Sequence, residues 1–191
     1  MYEWLLFGHL LGVAVLLAGL GVHVVSVDRL RQAQTVNALR VLLGAAKYGE
    51  RMVFIGAGLL VVAGLTLAAG FWSFSDGWIA TSIGLVIAQG IAGSIAGRRM
   101  ERLRNALQSA PNAVPSAELT VLAGNPVLHA SNRISVVLIA ETLFLMSVKP
   151  TASGIMWSLL TAAVVTTIAS WPLFKGRRLA SRSARVRREA L

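Results

Sequence analysis

The stretch Trp4–Val27, WLLFGHLLGVAVLLAGLGVHVVSV, runs for 24 residues without a Lys, Arg, Asp or Glu. At about 1.5 Å of rise per residue, such a helix crosses a hydrocarbon core of about 30 Å. It carries two of the three histidines, His9 and His23. Their 14-residue separation is close to four helical turns. Both rings are therefore expected on one face, about 21 Å apart, with one near each membrane surface. Gly8 and Gly12 form a GxxxG pair, and Ala18 and Gly19 extend the small-residue character. Imidazole is costly in lipid, so this face is expected to look into a helix bundle. Only Glu3 is charged ahead of the stretch, which is longer than a signal-peptide core, so it is read as a retained helix.

Working outward, four more apolar runs of similar length follow, at Met52–Phe74, Trp78–Gly97, about Pro126–Val148 and Gly154–Phe174. The expected fold is all-α: a polytopic transmembrane helical bundle of five spans forming one membrane domain over 1–191. With 55% hydrophobic and 14% charged residues, the chain lies far from the composition of soluble domains. It has no cysteine, which excludes disulfides, thiolate metal sites and a cysteine nucleophile.

The net charge of +10 is distributed by segment. All but one of the 18 basic residues lie between spans one and two, between spans three and four or in the first turns of span four (Arg133), or in the tail 175–191; the exception is Lys149. The positive-inside rule then puts the amino terminus outside and the carboxyl terminus in the cytoplasm, as an odd number of spans requires. A bacterial cytoplasmic (inner) membrane is the expected location. Topology accounts for the charge, so nucleic acid is not an expected partner. The arginine-rich tail can also attract anionic lipid.

Between the spans, Asp28–Arg51 mixes Leu30, Val36, Leu39, Leu42 and Leu43 with basic residues and is expected to lie as an amphipathic helix on the lipid surface. Span two is rich in small residues, among them Gly56, Ala57, Gly58, Ala63 and Gly64. Phe71, Trp72, Phe74 and Trp78 flank the turn Ser75–Gly77 as an interfacial aromatic belt. Gly93 and Gly97 make a second GxxxG pair, after which RRMERLRNALQ is expected to extend span three beyond the membrane. Ser109–Gly124 reads as a loop with one surface turn. Asn125–Pro126 reads as an N-cap followed by proline at the first helical position. Span five carries Thr161, Thr166, Thr167 and Ser170, whose hydroxyls can bond across helices or back to their own backbone.

The pattern HLLGVAVLLAGLGVHVVSVDRL at His9–Leu30 resembles the opening of the small membrane-embedded protoporphyrinogen oxidase family called HemJ. The resemblance continues through Gly77–Trp78, which opens span three, AGRRMERL at Ala96–Leu103, and Val136–Lys149, which ends in a lysine. The opening helix is more distantly similar to copper-resistance protein D. The HemJ resemblance implies a helical bundle holding b-type haem or a porphyrin, with the family's essential histidine falling on His9. The family's lysine, a few residues after the GW pair, has no counterpart. The sequence here reads GWIATSIGL, with Ser82 about where the lysine would stand, so the oxidase reaction does not carry over.

Histidine ligates haem iron, copper or zinc as neutral imidazole. His9 is a candidate axial ligand near the outer surface. His23 and His129 are expected to share the inner leaflet, where they could clamp a haem between helices. A packed, hydrogen-bonded histidine is the plainer alternative at each. Arg51 and Arg133 could hold propionates, although on the opposite side from His9. Glu141 is the only acid within a span, a proton relay or a neutral buried acid, and is expected to face other helices. No Walker, Rossmann, HExxH or GxSxG motif is present. Two readings stand: a haem- or porphyrin-associated membrane protein without robust oxidase activity, and a non-catalytic structural or assembly subunit of a larger, respiratory-type membrane complex. On the second, other subunits or a second copy would dock through glycine-rich faces. Copper handling is a weaker third, lacking cysteine and a methionine cluster. Reporter fusions at Ser75–Gly77 and after the tail are expected to report opposite sides of the membrane; the same side would contradict the five-span topology.

Overall fold

The computed structural model describes residues 1–108, 110–111 and 114–189, with side chains as far as Leu173. Helix α1 spans Tyr2–Arg29 and passes through a short 3₁₀ turn, Leu30–Gln32, into α2, Val36–Phe71. Then follow α3 (Gly77–Gln108), the two-turn α4 (Ala117–Ala123), α5 (Pro126–Val148) and α6 (Ala152–Glu189). All but α4 are long and apolar enough to cross a membrane, which gives the five expected spans. The tail's basic side chains lie outside the described residues.

Local chemistry sets the helix ends. Thr35 Oγ1 accepts the Ala38 amide at 3.1 Å to start α2. Ser116 does the same for Leu119 at the start of α4. Asn125 Oδ1 accepts the Val127 amide at 2.9 Å ahead of Pro126, as the sequence predicts for α5. That helix stops at Lys149, whose φ of 51° is left-handed, with Pro150 next.

Helices α1 and α2 form a tight antiparallel pair held by glycine. A Cβ on Gly19 would lie 2.7 Å from the Gly49 carbonyl oxygen, and one on Gly56 would lie 2.5 Å from the Leu16 nitrogen. Gly12 and Gly49 are equally confined. The contact thus uses Gly12 and Gly19 of α1 against Gly49 and Gly56 of α2, two pairs each spaced by seven. Gly8, expected as half of a GxxxG pair, only approaches the Ala63 side chain, at 4.0 Å. Gly93 has nothing within 4 Å and Gly97 meets only the Glu50 carboxylate, so the expected GxxxG pair of α3 is not a helix contact.

A second pair is formed by α3 and α5, with α6 against the far side of α5. A small cluster joins Leu16, Leu20 and Leu60 to Ile139 of α5, but the two pairs join most extensively at the basic end. There Val36, Leu39, Leu43 and Ala46 of α2 bury against Met100, Leu103 and Leu107 of α3, closed over by Leu119 and Ala123 of α4. This corrects the expectation that Asp28–Arg51 lies on the lipid surface. Its apolar residues recur at helical spacing, and the extension of α3 presents a matching stripe, so each covers the other instead of an interface. Arg40 Nη2 completes the junction by donating to the Ala110 carbonyl at 2.8 Å, just past the end of α3.

Gly56→Val should overpack the α1–α2 seam and cost about 1–3 kcal/mol or more. Gly58→Ala, where nothing lies within 4 Å, should be neutral or gain up to about 1 kcal/mol from helix propensity. Thermal unfolding in detergent checks both, and equal effects at the two positions would contradict the seam.

Candidate functional site

Away from the basic-end junction, a cleft runs between the helix pairs. It holds two stacked cavities that share Val13, Leu60, Val61, Val86, Leu143 and Met146 as walls. The one toward the aromatic end has a volume of about 420 Å³ and the one toward the basic end about 1020 Å³. Both are of a size that holds cofactors and drug-sized ligands.

His9 and His23 both reach α2, as expected of one helix face. His9 Nδ1 lies 3.1 Å from the Leu60 carbonyl oxygen, and His23 Nδ1 lies 3.1 Å from that of Ala46. A carbonyl only accepts, so Nδ1 carries the proton in each ring. In the neutral imidazole, Nε2 is then left with a free lone pair. This backbone anchoring is the arrangement that orients a ligating histidine. His9 lines the smaller cavity and His23 the larger.

His129 stands elsewhere. It is fully buried, and its Nε2 donates to the Ala123 carbonyl at 2.9 Å, fastening α5 to the end of α4. Its Nδ1 lies 3.6 Å from Asp28 Oδ1, beyond hydrogen-bonding distance, and it lines neither cavity. The structure therefore does not bring His23 and His129, the expected clamp, to a common cavity. The i,i+4 spacing with Arg133 is real, but α4 folds back over His129 and removes it from the cleft.

Arg133 Nη1 donates to the Ala169 carbonyl of α6, beside the carbonyl that Pro172 leaves without its helical donor. Arg51 is exposed and, like Arg133, lines neither cavity. The cation beside the His9 cavity is instead Lys149. Its Nζ sits 3.8 Å over the Trp72 ring and 5.5 Å from that of Trp78, in the cation–π range, and all three residues line that cavity. Ser82 lines it too, with its hydroxyl donating to the Trp78 carbonyl. The role of Lys149 was readable in one respect, as the only basic residue outside the three basic segments.

Glu141 is 8% exposed, so it faces protein as expected, but it lines neither cavity and its Oε1 has no hydrogen-bond partner among the described residues. Two further polar residues went unnoticed in the sequence. Asn132 and Gln89 lie within spans four and three and line the larger cavity. An amide inside an apolar run is the signal that marks them. Glu50 Oε2 and Arg104 Nη2 pair at 3.2 Å across its mouth. No group of three or more His, Asp or Glu able to hold a bare metal ion occurs among the described residues.

Searches against family models, curated proteins and solved structures return no match for the chain.

Since His129 is enclosed and bonded, His129→Ala should lower the unfolding free energy by about 2–4 kcal/mol. His23→Ala, half-buried on a cavity wall, should lose only the bond to Ala46, about 1 kcal/mol. Denaturant unfolding in mixed micelles separates the two, and equal losses would contradict the assignment.

Proposed function

We propose that this is a multi-pass membrane protein that holds b-type haem or a porphyrin in the aromatic-end cavity through His9, without robust protoporphyrinogen oxidase activity. The observation that carries the reading is the state of His9. Its Nδ1 is committed to the Leu60 carbonyl, so Nε2 is the nitrogen left for a ligand on a cavity of about 420 Å³. The HemJ resemblance falls on the same residue. Lys149 adds a cation at the same end, which removes the mismatch of depth that Arg51 and Arg133 would impose on a propionate-bearing ligand. Trp72 and Trp78 supply flat apolar walls. A bound haem would provide one-electron redox chemistry; the chain's own residues bind and orient it. Ser82 in place of a lysine argues against oxidase activity. By the charge rule, the His9 end faces outward and the tail faces the cytoplasm of a bacterial inner membrane.

A second reading, a structural or assembly subunit, draws support from α6. No residue of its most apolar window is buried, and Trp157, Val164, Ile168 and Trp171 are uncovered. Partner subunits or a second copy could dock there as well as lipid.

Absorption spectra of protein purified from haem-replete cells test the choice. A Soret band is expected, lost in His9→Ala and kept in His129→Ala. Lys149→Ala should weaken haem binding about fivefold, the effect of one exposed ion pair of about 1 kcal/mol. Folded protein without a Soret band and with stable co-purifying subunits would favour the second reading.

A further inference from the structure

The larger cavity carries chemistry that the His9 site does not use. Asn132 is 3% exposed on its wall, and neither its Oδ1 nor its Nδ2 has a hydrogen-bond partner among the described residues. Ser135, one turn along α5, lines the same wall. On the neighbouring helix α3, Gln89 Oε1 is likewise buried and without a partner among the described residues. His23 adds the lone pair of Nε2, since Nδ1 is held by Ala46. Each buried polar group left unpaired is destabilising, and an apolar side chain of the same shape would relieve it. Such groups inside a membrane span generally face a substrate path or a ligand.

The character of these groups selects the ligand. Asn132 Oδ1, Gln89 Oε1 and His23 Nε2 are acceptors; Asn132 Nδ2 and, nearer the mouth, Arg104 Nε are the orphaned donors. A carboxylate would meet three acceptors. A cationic head would meet Lys47, Arg98 and Arg104 against only Glu50 and Glu101, a lining that stays net positive. A head with carbonyls alone would leave the acceptors unpaired. Hydroxyl groups both donate and accept, and two of them satisfy Asn132 from both sides. Leu16, Leu20, Phe54, Ile139 and Leu143 give the same cavity apolar walls, and about 1020 Å³ accommodates more than a head group. From this we infer that the larger cavity is a second binding site, for a neutral amphiphile whose head carries at least two hydroxyl groups.

The full-length protein in nanodiscs can be titrated with 4-hexylresorcinol and with its dimethyl ether, which keeps the shape but loses both O–H donors. One saturable site for the resorcinol is expected, with binding weakened about tenfold or more for the ether and in Asn132→Leu and Gln89→Leu, each of which removes hydrogen bonds to the head. Asn132→Leu should meanwhile unfold at the same or a higher temperature than the wild type, because it replaces an unpaired amide with a side chain of similar shape. A purely structural role for Asn132 would lower that temperature. No saturable binding, equal binding of the ether, or undiminished binding in Gln89→Leu would overturn the site. The readout does not depend on haem, so this result stands or falls apart from the His9 reading.

Discussion

The backbone approach of α1 and α2 at Gly12, Gly19, Gly49 and Gly56 is the constraint on which the rest depends. In a bilayer, apolar helices gain little from hiding from lipid that is equally apolar, so they associate through close packing and the polar contacts it permits. Glycines seven apart on two antiparallel helices leave one register that avoids collision. In that register the Leu60 and Ala46 carbonyls come within reach of His9 and His23, and their 14-residue spacing matches that of the histidines. The imidazoles thus lock the pair and receive a fixed tautomer from it. One seam orients both cavity-facing histidines.

The cleft follows from how the second pair is attached. At the basic end, α2 and α3 extend past their most apolar stretches and build a core like that of a soluble protein, with α4 as its lid. At the aromatic end, Trp72 stacks edge-on against Trp78 under the Lys149 ammonium. Between these junctions Gly90, Gly93 and Gly97 of α3 line the large cavity without a helix against them. The absence of side chains there leaves room that the cavity occupies. The larger cavity combines Asn132, Gln89 and His23 and charged residues such as Lys47, Glu50 and Arg98 with apolar walls, which suits amphiphilic ligands.

Much of this was legible in the sequence. The five spans follow from apolar length, and the start of α5 from Asn125–Pro126, because both are local properties. The common face of His9 and His23 follows from helical period alone. What could not be read was partner choice. GxxxG spacing marks Gly8–Gly12 and Gly93–Gly97 as well as it marks a real contact, and only the opposing helix decides which glycines are crowded. The same holds for Asp28–Arg51, whose amphipathic pattern fits a lipid surface or a protein partner equally; the matching stripe on α3 decides it. His129 looked like a ligand until α4, a helix of seven residues in a segment read as loop, covered it.

The chain's lack of cysteine makes single-cysteine labelling a direct probe of the cleft. Gly93 opens on the large cavity, whereas Ile91, two positions earlier on the same helix, is 59% exposed and lines neither cavity. With the protein in a bilayer, Gly93→Cys should react readily with a small, charged, water-soluble thiol reagent and Ile91→Cys should be shielded by lipid. Equal reactivity at the two positions, or protection of Gly93→Cys alone, would contradict a polar cleft between the helix pairs.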